Sequence, residues 1–165
     1  MQPVTAVATG VRLVLKIFTI LVSILFIAGC NNDDNIDGSL ENPLLADVTW
    51  NLISYGYEGE STKALLPGTK YSIIFDSDSR SVGGTIDCNH ISSSLASYTA
   101  DDTNIEISSF FTTLIGCSGM QESGYKEQND FIVNALLSLT EYSIEDSELT
   151  LKSIDSSLLK YSNTN

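Results

Sequence analysis

The sequence is poor in the side chains on which most catalytic and metal sites depend. Its 165 residues hold one histidine, three cysteines, three prolines and one tryptophan. A Ser/His/Asp relay places an imidazole between nucleophile and carboxylate, so such a site would have to use His90. No Gly-x-Ser-x-Gly elbow accompanies it, and we read His90 as a surface or turn residue beside Cys88. Zinc fares no better: one histidine and two spaced cysteines, Cys88 and Cys117, show none of the usual ligand spacings. Cations are scarce too, with 8 Lys and Arg against 21 Asp and Glu and a formal net charge of −13. Such a balance repels phosphate backbones and excludes a nucleic-acid partner. It is read first as a solubilising surface and second as a means of capturing cations or basic partners.

Also missing is an apolar run of the roughly twenty residues that a membrane-spanning helix needs. Arg12 and Lys16 instead precede Ile17-Phe18-Thr19-Ile20-Leu21-Val22-Ser23-Ile24-Leu25-Phe26-Ile27. About eleven residues suit the apolar region of an export signal. Ile27-Ala28-Gly29-Cys30 follows and resembles the lipobox of bacterial lipoproteins: an aliphatic residue, two small ones, then the cysteine whose thiol receives a diacylglyceryl group. The alternatives are an ordinary signal peptide with a chance cysteine, or an uncleaved anchor that extends back to Val11.

Residues 1–29 are therefore expected to be a signal peptide and Cys30 the lipidation site, with membrane lipid as the partner. Two acyl chains suffice for stable anchoring. The expected location is the cell envelope, and Asn31 rather than Asp after the cysteine points to the outer membrane under the enteric sorting rule. Without Arg12 and Lys16, the remaining 136 residues carry −15. Residues 30–46 read as the lipidated cysteine and a flexible acidic tether. Asp33, Asp34 and Asp37 lie in it without a fixed frame and would hold calcium weakly.

Residues 47–161 read as one domain, long enough to bury a core, and 162–165 as a tail. Val48, Trp50 and Leu52 alternate in Val48–Tyr55, the period of a strand with one buried face. Lys70–Asp76 is a second strand, entered through Leu66-Pro67-Gly68-Thr69. Ser77–Arg80 turns into a third strand, Ser81–Cys88, in which Gly83-Gly84 marks a bulge or a close backbone approach. Further strands are expected at 94–99, 104–108, 110–115, 142–144, 149–151 and 158–161. Phe131, Ile132, Ala135, Leu136 and Leu139 recur at helical spacing, so a helix is expected from about Gly124 to Leu139. The fold class is α+β, mainly β: a strongly curved, half-barrel-like antiparallel sheet packed on one helix.

Other candidate chemistry is thin. Asp76, Asp78 and Asp87 loosely match calcium-loop positions, but Arg80 stands where an oxygen ligand belongs and Ser81 where the loop needs glycine. Val82-Gly83-Gly84-Thr85 lacks the lysine and following helix of a phosphate loop. Trp50, Tyr55, Tyr57, Tyr71 and Tyr98 are read as core and sheet-face packing, with a pocket lining as the alternative. With Cys30 lipidated, Cys88 and Cys117 remain. An even number in an exported domain favours a disulfide over two separate buried thiols. The absence of Cys-x-x-Cys spacing speaks against a redox-active pair.

The order of these features resembles the META domain, or HslJ-like, family. Trp50-Asn51-Leu52 matches its opening Trp-x-Leu, and Asp87-Cys88-Asn89 its Gly-Cys-Asn. Thr112-Thr113-Leu114-Ile115-Gly116-Cys117 matches its Thr-Thr-x-Met-Ala-Cys, and Leu149-Thr150-Leu151 the Leu-x-Leu of its last hairpin. Asp87 replaces the usual glycine, Ile115-Gly116 replaces Met-Ala, and the stretch from His90 to Tyr98 is longer than usual. The resemblance implies a β-rich fold with one helix, often behind a lipobox, with some members tied to heat or antibiotic stress and to virulence. It transfers no catalytic residue; Trp50, Cys88, Asn89, Thr112, Thr113 and Cys117 carry over as pattern positions. We therefore expect a monomeric, non-enzymatic envelope lipoprotein, with no cofactor or metal, that acts by binding or as a structural element. The alternative is a small extracytoplasmic hydrolase or inhibitor-like module with a concave site around His90 or clustered carboxylates.

Overall fold

The computed structural model describes residues 42–117 and 123–163. The expected signal, Cys30 and the tether as far as residue 41 lie outside them. No helix among the described residues is long and apolar enough to cross a membrane.

Among the described residues, ten strands and one helix follow in order: β1 Trp50–Tyr57, β2 Lys63–Ala64, β3 Tyr71–Asp76, β4 Ser81–Ile86, β5 Asn89–Ile91, β6 Tyr98–Ala100, β7 Ile105–Ile107, α1 Tyr125–Leu137, β8 Leu139–Glu145, β9 Glu148–Ser153 and β10 Ser157–Ser162. The main sheet runs β5-β4-β3-β1-β10-β9-β8, with β2 also on β1. Every pairing is antiparallel. The first and last strands thus meet at the centre, where Tyr55 faces Leu159 and Gly56 faces Leu158. The sheet is curved and the fold mainly β with one helix, as expected.

Alternation builds the core. In β3, Tyr71, Ile73 and Phe75 are buried while Ser72, Ile74 and Asp76 are partly exposed; β9 and β10 alternate likewise. From α1, Ile132, Ala135 and Leu136 join Leu149, Leu151, Leu159 and Tyr161 in one cluster. The small hairpin β6–β7 forms a separate two-stranded sheet. The residues leading into β6 bond to β4 (Val82 N–H to Ala96 O, 2.9 Å), and Asn104, just before β7, bridges to Glu141 of β8.

Several expectations shift. Residues 42–46, placed in the tether, are joined to the body: Leu45 is fully buried and its carbonyl accepts the Trp50 Nε1 proton at 2.9 Å. The third strand stops at Ile86 because Asp87 and Cys88 form the turn into β5. The helix ends at Leu137, and Leu139 begins β8. Strand 94–99 is reduced to Tyr98–Ala100. Residues 110–115 form no strand; they run beside β5 through one bridge, Ile91–Thr112.

Gly83 and Gly84 separate into two cases. A Cβ on Gly84, whose φ is +138°, would lie 2.1 Å from the Ser72 carbonyl oxygen, so β3 passes too close for any side chain. On Gly83 it would meet only Ser93 at 3.8 Å, an ordinary contact.

Candidate functional site

Five of the six pattern residues, all but Trp50, converge at one corner. Ile86 pairs with Asn89, so Asp87-Cys88 is a two-residue hairpin loop. Such loops need a positive φ at their first residue, and Asp87 has φ +54°. That geometry suits the glycine usual at this position, and aspartate is among the few residues that tolerate it. The turn presents Cys88 to Cys117, with Cα atoms 5.6 Å apart and a disulfide between them. The expected pairing is therefore present.

Beside the disulfide, Asn89 grips a peptide unit. Its Oδ1 accepts from Ile115 N–H at 2.6 Å and from Thr113 Oγ1 at 3.0 Å, while its Nδ2 donates to Ile115 O at 3.2 Å. The ladder continues upstream. Thr113 N–H donates to His90 O (3.0 Å), His90 N–H to Thr113 Oγ1 (3.1 Å), and Ser92 N–H to Phe111 O (2.9 Å). Asn89 and Thr113 thus serve as side-chain rungs that hold residues 111–117 against β5. Thr112 contributes the backbone bridge to Ile91, and Trp50 lies apart in the core, fully buried.

Under this segment lies a cavity of about 350 Å³, lined in part by Ile86, Asn89, Ile115, Cys117, Tyr125 and Val133. The Tyr125 hydroxyl donates to Asp87 Oδ2 at 2.9 Å. Burial first, then the Asp87 carboxylate, raises its pKa, so it remains a proton donor in that bond. Asp87, Cys88 and Cys117 bring three possible metal donors within 4.8 Å, but the disulfide occupies both sulfurs. The segment itself is apolar and open: Leu114 is 98% exposed and Ile115 56%.

The remaining candidates disperse. The His90 side chain is exposed on the edge strand β5 and makes no hydrogen bond among the described residues. Asp76 is engaged by its own turn, accepting from Ser79 Oγ at 2.6 Å and Ser79 N–H at 2.7 Å; these bonds hold its carboxyl below the usual range. Asp87 serves Tyr125, so Asp76 and Asp87 are committed to separate jobs. Of the aromatics, Trp50, Tyr71 and Tyr98 are core, while half-buried Tyr55 and exposed Tyr57 flank Phe131 at 5.2 Å each at the edge of the core.

On the outer face of β8–β10, Lys152 lies between Glu58 (3.0 Å) and Glu141 (3.6 Å), and Lys160 meets Glu148 at 3.1 Å. These are solvated pairs of small net worth. A larger recess, about 610 Å³, opens where hairpin β6–β7 faces the α1–β8 junction.

Two structural residues escaped the sequence reading. Gln128, 1% exposed, accepts from Leu66 N–H at 2.7 Å and donates to Tyr71 OH and Thr69 Oγ1, both at 3.2 Å. Tyr125 is buried on the same stripe. Gln128 and Tyr125 lie four and seven residues before Ile132, and that helical spacing was the available clue.

Three solved structures share the fold. An NMR structure of a protein from Burkholderia xenovorans superposes with TM-score 0.57 at 16% identity, covering 82% of this chain and 97% of that one. A crystal structure of a DUF4847 family protein from Bacteroides vulgatus gives 0.54 at 15%, covering 73% and 95%. A third, solved by NMR, gives 0.52 at 17%, covering 73% and 92%. Curated proteins yield no match. The META domain model matches residues 43–165, the stretch that holds the disulfide corner and its Asn89 clamp, and the chain belongs to the META domain family.

Proposed function

We propose that this protein is a lipid-anchored envelope protein whose META domain works by binding rather than by catalysis. The observation that carries this reading is the run from Lys16 to Cys30, an apolar stretch closed by Ile27-Ala28-Gly29-Cys30. The Cys88–Cys117 disulfide supports it, because such bonds persist in the oxidising compartments beyond the cytoplasmic membrane. The pattern residues Asn89 and Thr113 spend their polar atoms on holding the chain, and His90 stands alone on an edge, so the hydrolase alternative gains no support. The test is acylation in a bacterial host. Radiolabelled palmitate should enter the wild-type protein and not Cys30→Ser. Equal labelling of both, or of neither, overturns the reading.

A further inference from the structure

We infer that the recess between hairpin β6–β7 and the α1–β8 junction is a docking groove for a short extended peptide that carries apolar and basic side chains. The inference rests on the reading of the domain as a binding module, and it is independent of the anchor.

The groove has an identifiable cause. Strand β8 carries a register shift between Leu139 and Glu141, so Thr140 is a bulge residue. Bulges bend their strand and are common beside functional sites. Here β7 and β8 meet at the Asn104–Glu141 bridge and pair no further, and the hairpin stays a separate two-stranded sheet.

In the β6–β7 ladder, Asp101 N–H bonds to Asn104 O and Ser108 N–H to Ser97 O. By the alternation of an antiparallel pair, Glu106 then bonds to Thr99, and the Ile107 backbone groups turn away from β6 toward the recess. This free edge is one residue long, on a residue 6% exposed overall, and offers an extended peptide a single backbone rung.

The walls define the partner. Leu137 and Ile154 line the groove at 52% and 79% exposure, two aliphatic side chains left in water on a chain of net charge −13. The charged residues in the lining are Asp101 and Glu106, with no cation among them. Asp101 is committed to its turn, accepting from Thr103 N–H, Asn104 N–H and Asn104 Nδ2. Glu106 is exposed and makes no ion pair among the described residues. Apolar lips, a strand edge and an unanswered carboxylate favour alternating apolar and basic residues and disfavour acidic ones.

The test uses the full chain in phosphatidylcholine nanodiscs, with empty nanodiscs as blank. Fluorescence anisotropy compares three labelled pentapeptides: valine alternating with lysine, with serine, and with glutamate. The lysine peptide should bind, the serine peptide more weakly by about two- to fivefold, and the glutamate peptide more weakly still. Ile154→Asp should weaken the lysine peptide by about tenfold or more, and Glu106→Lys should reverse the order of the lysine and glutamate peptides. Equal binding of all three, no binding above the blank, or affinities unchanged by both substitutions overturns the proposal. So does a dimer dissolved by Ile154→Asp, which would make the groove an interface between copies. None of these outcomes alters the acylation of Cys30, so the two readings fail separately.

Discussion

The side-chain amide of Asn89 holds both polar atoms of the Ile115 backbone, accepting its N–H at 2.6 Å and donating to its carbonyl at 3.2 Å. One amide thus replaces a strand rung that the apolar segment around Leu114 does not form. Asn89→Ala leaves both backbone groups without that partner and should cost about 1–3 kcal/mol by denaturant unfolding. Hydrogen exchange at the Ile115 amide should accelerate even with the disulfide intact.

The disulfide adds a second restraint on the same segment. Cys88 and Cys117 are separated by 29 residues. Loop-closure entropy for a loop of that size stabilises by about 3.5 kcal/mol. The double variant Cys88→Ala/Cys117→Ala should lose about that much, and thiol counting on the unfolded, unreduced wild type should find neither cysteine free.

Gly84 and Gly83 should respond oppositely to the same methyl group. Gly84→Ala drives a Cβ against the Ser72 carbonyl and should destabilise by about 3 kcal/mol or more. Gly83→Ala should stay within about 0.5 kcal/mol. Thermal melts of the pair check this directly.

Gln128 joins α1 to the loop before β3. Gln128→Leu leaves the Leu66 N–H and the Tyr71 hydroxyl without their partner and should cost about 2–3 kcal/mol. The denaturation midpoint should fall with little change in slope.

Asp155 gives the fold a pH-dependent element. Its carboxylate accepts from Ser153 Oγ at 2.6 Å and Ser157 N–H at 3.0 Å, closing the β9–β10 turn, and these bonds lower its pKa. A carboxyl depressed on folding adds stability above its unfolded pKa, about 3.9, and loses it as pH falls through the folded value. Asp155→Ala should therefore be less stable than wild type at neutral pH. The gap should close as pH drops below about 4. Melting curves across acid pH measure it.

Strands with a buried face were legible in the sequence because period two is a strong signal: Tyr71, Ile73 and Phe75 in β3, and Leu149 and Leu151 in β9. Strand β2 has two residues and β5 three, too short for any period. The segment 110–115 looks like a strand in composition. It is held to β5 by a few backbone bonds together with the side chains of Asn89, from β5, and its own Thr113, an arrangement that hydrophobic patterning does not encode. Pattern residues at the disulfide corner were legible through the family resemblance, whereas the clamp of Asn89 on Ile115 needed coordinates. The groove escaped because its cause, a bulge at Thr140, leaves no mark in composition.

The claim that this chain is an anchored envelope protein is tested most directly by the intact mass and N-terminal peptide of the protein recovered from a bacterial host's membranes. The account predicts a chain that begins at Cys30 and carries a diacylglyceryl group on that residue. A chain that retains residues 1–29, or begins elsewhere with Cys30 unmodified, would contradict it.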